Sequence, residues 1–472
     1  MQRPRLLVQT CALALAVLAS GCGGLGTGPA IGAEAQALAD SFDSRDRSID
    51  LARLFDAVVE TVEASFFDKA LLRELDWRRR AAGVRASIIT ASSTDNAVRR
   101  INALIAELKT SHCALLTPDE YQYYAVLDIV GAGVDGVELI ARRFWGAGPY
   151  YPGIGAFTQL VDGHHFVDGI LEGSPAEQAG LNFGDEILTI DGKPYSPVAA
   201  FRGKVGTSAM LEIRRRPDAE PQRLAVPVVP IRPVVAFPAA TAASARVIER
   251  GGLRIGYVHV WSLHESTSLK TALARLEPHN QSKPGSSART AWSDGGVPAE
   301  DGAPIPGPLD SLIVDLRGRV GGRIAVAAQN LDLLDARQRP EWDRWHLADG
   351  SGLAQFGSVR PGNPSFRGRS ALLVDDHTRS AAEVMAQSYK RNRFGAVLGS
   401  TTAGAGVSGA LFVMPGDLLL YVAVAKHESN GQPIEGIGVS PDYPVARPLP
   451  YAGNADPVLD AALDLLPAQA AR

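Results

Sequence analysis

Cysteine is nearly missing from this chain: Cys11, Cys22 and Cys113 are the only three, which leaves no room for a disulfide framework. No cluster of His, Cys, Asp or Glu has metal-ligand spacing and no phosphate loop is present, so neither a metal nor another cofactor is expected. No long basic run appears, and 47 Lys+Arg against 51 Asp+Glu give a net charge of −4, so nucleic acid is not an expected partner. Past the N-terminal segment, no apolar run approaches the roughly 20 residues of a spanning helix. Internal repeats are absent. What is present is an apolar fraction of 46%, ample for packed cores and incompatible with a disordered chain. The 48 glycines and 31 prolines imply many turns. At 472 residues the chain is too long for one ordinary domain, and two or three are expected.

The N-terminus reads as an address. Arg3 and Arg5 precede the apolar run Cys11–Ala19, which ends in Ser20-Gly21-Cys22. This resembles a bacterial lipoprotein signal over 1–22, in which Cys22 becomes lipidated and 23–45 forms a flexible tether. Gly23 after Cys22, rather than aspartate, resembles sorting to the outer membrane in preference to the inner. The alternative is a plain secretory signal. Either way the chain is expected in the cell envelope, facing the periplasm if lipid-anchored.

Leu51, Leu54, Phe55, Val58, Val62 and Phe66 recur at helical spacing after a possible cap at Asp50, and Val98, Ile101, Leu104, Ile105 and Leu108 mark a second helix with Thr94 or Asp95 near its start. That predicts an N-terminal helical domain over 46–124, with Thr110-Ser111-His112 just beyond the second helix. From about Tyr150 short strands and turns take over. Gly153-Ile154-Gly155-Ala156-Phe157, then Ser174-Pro175-Ala176-Glu177-Gln178-Ala179-Gly180-Leu181, then Gly184–Gly192 together resemble a PDZ domain of the bacterial protease type, spanning 145–232. The resemblance implies a peptide-binding nest at Gly153, Ile154, Gly155, Ala156 and Phe157, able to hold a terminal carboxylate. A PDZ fold kept only as spacer or lid is the other reading.

The remainder, 245–470, alternates strands (Leu253–Trp261, Ser311–Leu316, Ala371–Val374, Ala396–Leu398, Leu418–Ala425) with helices (Ile324–Ala336, Ala381–Arg391), which argues an α/β core. The Ser/Gly/Pro-rich stretch 279–308 has the composition of a disordered insert. Within this core, Ser380 falls where a strand and the turn formers Asp375–Thr378 give way to a helix. A hydroxyl there lies beside free N–H groups and a favourable dipole, which suits a nucleophile whose attack makes an oxyanion. Taken alone, Ser380 reads first as a helix cap, and only the rest of the chain favours the nucleophile.

Four segments in order, Leu312–Gly322 (LIVDLRGRVGG), Val374–Val384 (VDDHTRSAAEV), Val397–Gly406 (VLGSTTAGAG) and Ile434–Tyr443 (IEGIGVSPDY), resemble the tail-specific or C-terminal processing serine peptidases and their tricorn-core relatives. The resemblance implies a crotonase-like spiral βαβ core and places the nucleophile at Ser380, three residues before Glu383. The lysine base of the tail-specific enzymes lies in a G-K-G segment, and the matching segment here is Gly404-Ala405-Gly406, without the lysine. The tricorn-like branch instead uses serine, histidine, a second serine and glutamate. By that resemblance Leu108–His112 supplies His112 as base and Ser111 as its partner, and the EGxGVxPD motif supplies Glu435. A serine hydroxyl needs a base within reach. Histidine can take its proton and return it to the leaving amine, and a carboxylate relay fixes the imidazole. For the oxyanion hole, Gly321 or Gly322 is the first candidate donor and the Ala381 N–H the second.

His377 is the rival base, closer to Ser380 in sequence, though its ring need not face the hydroxyl. Glu383 is expected to complement the helix dipole, Asp315 and Arg317 to fix a turn, and Cys113 to be a small buried residue. The expected activity is an envelope serine endopeptidase with the PDZ domain engaging C-termini of peptides or unfolded proteins. The alternatives are a non-catalytic peptide- or ligand-binding member and a hydrolase of non-peptide esters or amides. Oligomeric state is not legible.

Overall fold

Strand Ser311–Asp315 is buried at every residue, as a run of Leu, Ile and Val between helix layers should be. It lies inside a six-stranded sheet ordered Arg246–Arg250, Leu253–His259, Ser311–Asp315, Arg369–Val374, Gly395–Gly399, Tyr443–Pro444. The first pair is antiparallel and the other four are parallel. Helices Thr267–Leu276, Ile324–Leu334 and Ala381–Arg391 cover one face, through Leu273, Val326, Met385 and Ala386 on Val314, Leu372 and Val397. Helix Pro457–Ala470 covers the other through Val458, Ala462 and Leu466 on Ile313, Ala371 and Leu373. This three-layer α/β unit buries apolar surface on both sides of its parallel strands.

The computed structural model describes residues 49–131, 137, 140, 148–276, 308–318, 321–334, 340–347, 352–358, 365–429 and 431–470. The expected leader with Cys22, the expected tether 23–45 and residues 279–307 lie outside them. Among the described residues, no helix is long and apolar enough to cross a membrane.

The periodic N-terminal segments form helices Leu51–Ser65 and Thr94–Ala106. Asp50 caps the first, its carboxylate accepting the N–H groups of Ala52 and Arg53 at 3.0 Å each. The second is capped by Ser93, one residue before the expected start, since its hydroxyl reaches the Asn96 N–H at 3.2 Å. These helices do not bury a core of their own. Leu54, Val58, Ile101 and Ile105 pack on Val407, Met414, Leu420 and Val422, residues of two late strands, Val407–Met414 and Leu418–Ser429. Ala114–Leu116 pairs antiparallel with Leu419–Tyr421. Helix Tyr121–Ile129 runs through Tyr124, where the expected domain edge lay. The hairpin Pro340–Leu347 and Gly352–Ser358 joins the same sheet. An alternating pattern could not announce these long-range pairings, because neither partner shows its neighbour in sequence.

Between the two regions stands a β-rich unit whose six-stranded sheet runs Ala156–Val161, His164–Ile170, Glu186–Ile190, Ser208–Arg214, Gln222–Pro227, with the short strand Lys193–Pro194 pairing off Glu186–Ile190. It has its own core of Ile154, Val167, Leu181, Ile187, Leu211 and Val226. Phe157 faces outward from that core and meets Tyr121, Phe237 and Trp261 at ring separations of 5.1, 6.3 and 5.7 Å. Aromatic packing thus joins this unit to both neighbours.

Candidate active site

Two turns leave the C-terminal ends of adjacent parallel strands, where open α/β sheets present their crevice. One begins at Arg317 and Gly318 after strand Ser311–Asp315, and Gly321 and Gly322 are the next described residues of that connection. The other, from Asp375 to Arg379, follows Arg369–Val374. Side chains bind them together: the Asp375 carboxylate accepts the Gly318 N–H at 3.0 Å, and the Thr378 hydroxyl donates to the Leu316 carbonyl at 2.8 Å. Asp375 also takes the N–H groups of His377 and Thr378 at 3.0 and 2.8 Å. Asp375, Asp376 and His377 do bring three metal-capable atoms within 4.8 Å of one another, a grouping the sequence spacing did not suggest. Asp375, however, spends its oxygens on the turn.

Below the first turn, buried Arg317 grips buried Asp315 at 2.6 Å and half-buried Asp456 at 2.7 Å. Burial raises the Asp315 carboxyl, but the Arg317 guanidinium and then His259 override this and hold it well below the usual range. Asp315 and Arg317 thus brace the turn, as their positions suggested.

Ser380 opens helix Ala381–Arg391 with φ 57° and ψ −127°. This backbone region is costly for a residue with a Cβ, by about 1–3 kcal/mol. Glu383 holds it there. Fully buried, Glu383 accepts the Ser380 N–H at 3.0 Å, the Ala405 N–H at 2.7 Å, the Gly404 N–H at 2.6 Å and the Thr402 hydroxyl at 2.6 Å. Burial raises its carboxyl pKa, against the pull of these four hydrogen bonds. Sequence reasoning placed Glu383 in the first helical turn but saw only dipole complementation. The Ser-x-x-Glu spacing of a capping box was visible, whereas its partners twenty residues on were not.

Ala405 stands where the resemblance would put a lysine, and it is 6% exposed. The next residue, Gly406, gives its N–H to Glu435 at 2.7 Å, and a Cβ there would lie 2.6 Å from the Glu435 nitrogen. Glu435 also accepts the Ser111 N–H at 2.7 Å and the Ser111 hydroxyl at 2.8 Å. Ser111 Oγ lies 2.9 Å from His112 Nδ1. A hydroxyl has one proton, and Ser111 directs it to Glu435, so Nδ1 must carry a hydrogen and donate to Ser111. That leaves Nε2 with its lone pair, the tautomer a general base requires.

The His112 backbone sits at φ 55° and its ring lies 5.2 Å from that of Tyr421. Burial first, and the Arg379 charge second, depress its pKa to about 4. Arg379 is the residue before Ser380, so the imidazole and the nucleophile turn share one electrostatic neighbourhood. Cys113 points elsewhere, its sulfur accepting the Ala423 N–H at 3.4 Å, and burial pushes the thiol up to about 11. His377 is occupied by carboxylates, Asp376 at 3.2 Å and Asp168 at 3.6 Å.

Opposite Ser380, a Cβ on Gly321 would lie 3.8 Å from the serine Cβ. The Gly321 carbonyl accepts the Leu263 N–H at 2.8 Å, and Leu263 in turn accepts from Arg323 at 2.8 Å. The Gly322 N–H shares a planar trans peptide with the Gly321 carbonyl and therefore points away from Leu263. At φ 145° and with Leu263 backbone 2.3 Å from any Cβ, Gly322 tolerates no side chain. Ala381 follows Ser380 and is buried.

Of the five nest candidates, Ile154 and Phe157 are each 3% exposed. The Ile154 and Gly155 carbonyls accept from Ala176 and Leu171 at 2.9 and 2.8 Å, and Gly153 pairs with Val229. Ala156 begins the edge strand of its sheet. Tyr121 donates its hydroxyl to the Thr158 carbonyl on that edge at 2.9 Å.

Residues 307–445, which include Ser380 and Glu435, match Peptidase family S41. The chain is 22% identical over 378 residues to the carboxyl-terminal-processing peptidase 3 of Arabidopsis thaliana chloroplasts, covering 78% of this chain and 64% of that protein. It is 27% identical over 311 residues to the carboxyl-terminal-processing protease of Synechocystis, 63% of each chain. With putative tricorn protease homolog 2 of Streptomyces coelicolor it shares 24% over 442 residues, 89% of this chain and 32% of that one. The chain therefore spans just under two thirds of the length of the first two relatives. Among solved structures, the photosystem II D1 C-terminal processing protease aligns with a TM-score of 0.48 at 19% identity, over 89% of this chain and 98% of that one. The tricorn protease aligns at 0.43 and 15%, over 90% of this chain and 37% of that one. The family match and the processing-peptidase relatives support a serine peptidase.

The strained Ser380 backbone yields a stability prediction. Ser380→Gly and Ser380→Ala both remove the hydroxyl, but only glycine relieves the positive φ. The glycine variant should be the more stable by about 1 kcal/mol, read as a higher denaturation midpoint. Equal midpoints would mean the turn stores no strain.

Proposed function

We propose that this chain, whose residues 307–445 match the S41 peptidases, is a serine endopeptidase working through Ser380, His112, Ser111 and Glu435. The observation that carries the reading is the hydrogen-bonded series Glu435–Ser111–His112. It presents an unprotonated Nε2 in a chain that lacks the family's lysine. Ser380 Oγ attacks a peptide carbonyl and forms the C–O bond while its proton passes to His112 Nε2. The Gly322 and Ala381 N–H groups receive the oxyanion, a contribution of about 3–4 kcal/mol per donor in such sites. Collapse expels the amine, which takes the proton from His112. Water, activated by the same nitrogen, then hydrolyses the acyl-enzyme and restores the hydroxyl. Ser111 and Glu435 stabilise the imidazolium that forms between these steps. Neutral His112 at physiological pH is ready for the first step.

The reading includes a crotonase-like spiral for the core and a PDZ domain for 145–232, which engages the C-termini of peptide or unfolded protein substrates. It also includes a lipid anchor at Cys22 holding the enzyme at the periplasmic side of the envelope, on the outer membrane. Replacing Cys22 by serine should then move the protein from the membrane to the soluble fraction. Unchanged fractionation would remove the anchor and leave the chemistry untouched.

For the chemistry, a fluorophosphonate probe should label the wild-type chain, lose at least about 10²-fold in rate in Ser380→Ala and His112→Ala, and retain its rate in His377→Ala. A folded wild type that resists the probe would favour the non-catalytic binding protein instead. Loss at His377 with retention at His112 would reassign the base.

The pH dependence follows from the depressed His112 pKa. Above about 4 the imidazole is neutral and able to accept a proton, so kcat/KM should fall only as pH drops through that value. Between about 4 and the ordinary 6.5 the unfolded chain binds this proton and the native chain does not, so stability should rise with pH across the same window. An acid limb near 6.5 would show that the ring is hydrated in solution.

A further inference from the structure

Beyond the relay lies a second histidine with the opposite environment. His259 ends the strand Leu253–His259, beneath the turn that begins at Arg317. Its Nδ1 is 2.8 Å from Glu172 Oε1 and its Nε2 is 2.9 Å from the Arg317 carbonyl. Both neighbours are acceptors, so both ring nitrogens must carry hydrogen, and the ring is an imidazolium. Glu172 does not belong to the core. It follows strand His164–Ile170 of the β-rich unit, and its other oxygen accepts the Trp261 indole N–H. Trp261 stacks 4.1 Å from His259 and is wedged between Gly169 and Gly318, where a Cβ on either would come within 3.3 and 3.2 Å of the indole. Four residues earlier, on that strand, Asp168 faces His377 of the turn before Ser380 at 3.6 Å. One segment of the β-rich unit therefore reaches both turns that would supply oxyanion donors.

We infer that Glu172 is a positioning residue for the oxyanion side of the site: through His259 it anchors the Arg317 carbonyl, so that the start of the connection to Gly322, at Arg317 and Gly318, is held in place by the β-rich unit. The inference rests on the peptidase reading above. The charged and titratable groups around His259 are Glu172 on the β-rich unit, Asp315 and Arg317 on the neighbouring strand and turn, Tyr257 bonded to Asp315 with Arg246 over its ring, and Asp456 and Arg447 beyond Arg317. Burial acts to discharge the ring. Glu172 and Asp315 outweigh it and push its pKa up to about 9. The sign is that of a raised histidine: the anchor is complete at neutral pH and below, and is lost as pH rises through about 9.

The full chain tests this with kcat and KM for one peptide substrate from pH 5 to 10. Wild type should lose kcat as pH rises through about 9. Glu172→Gln keeps the shape but removes the charge, and should lower kcat at pH 8 by roughly 10²-fold, the cost of a small misplacement of reacting groups. KM should stay within about threefold, and the alkaline limb should move to lower pH by a unit or more. Lowering the pH of that variant from 8 to 6 should restore part of its kcat, because His259 can then be charged without Glu172. Trp261→Phe leaves the ion pair in place and should keep the limb near 9. A Glu172→Gln variant with wild-type kcat and an unmoved limb would overturn the inference, as would a general loss of activity that pH does not restore. If Glu172→Gln does not fold, a wild-type profile without an alkaline limb, or a Trp261→Phe limb that moves, overturns it instead. Should wild type neither turn over peptide nor react at Ser380, the peptidase reading itself fails, and that result is distinct from the others.

Discussion

Three consecutive backbone N–H groups, those of Gly404, Ala405 and Gly406, hold the site together. The first two end on Glu383 and the third on Glu435. Glu383 in turn fixes the Ser380 N–H, and Glu435 fixes Ser111 and through it His112. The Ser380 turn and His112 are thus tied to opposite sides of one tripeptide. A buried carboxylate such as Glu383 is costly unless its oxygens are satisfied, and the Ser380, Gly404, Ala405 and Thr402 groups satisfy it. The position where the resemblance would put a lysine is backbone scaffold here. Ala405 contributes its backbone and keeps its small side chain out of water.

The two histidines show how surroundings divide one residue type between roles. His112 has a hydroxyl on one nitrogen and a cation nearby, so it is neutral and able to accept a proton. His259 has an acceptor on each nitrogen and carboxylates on two sides, so it is charged and serves as a fixed donor. Burial alone would discharge both rings. The difference comes from Arg379 near one and from Glu172 and Asp315 around the other.

Much of the core was legible in the sequence because its strands are short apolar runs between turn formers and its nucleophile helix is marked by Ser380 and Glu383. The expected helix Ala381–Arg391 matches the observed one residue for residue. The strand expected at Leu253–Trp261 stops at His259, where the chain turns to pair Leu263 with Gly322. Helix Pro233–Ser244, with Pro238 inside it, was not anticipated, since proline argues against a helix interior. It nevertheless buries Ala236, Phe237 and Ala240 against the aromatic cluster around Trp261.

The sequence by itself determined the local geometry: which segments are strands or helices, where a serine meets a helix N-terminus, and which turns carry glycine. Those features depend on neighbours a few residues apart, through sterics, capping and burial periodicity. It also supplied the residue types of a proton relay in a recognisable order. Only the tertiary structure brought Ser111 to Glu435, 324 positions away, and made the N-terminal helices share a core with strands from the far end of the chain. Only the fold placed Glu172 against His259. Such contacts depend on where separate elements end up after packing, and hydrogen-bond geometry and the local dielectric then decide which histidine is neutral and which is charged.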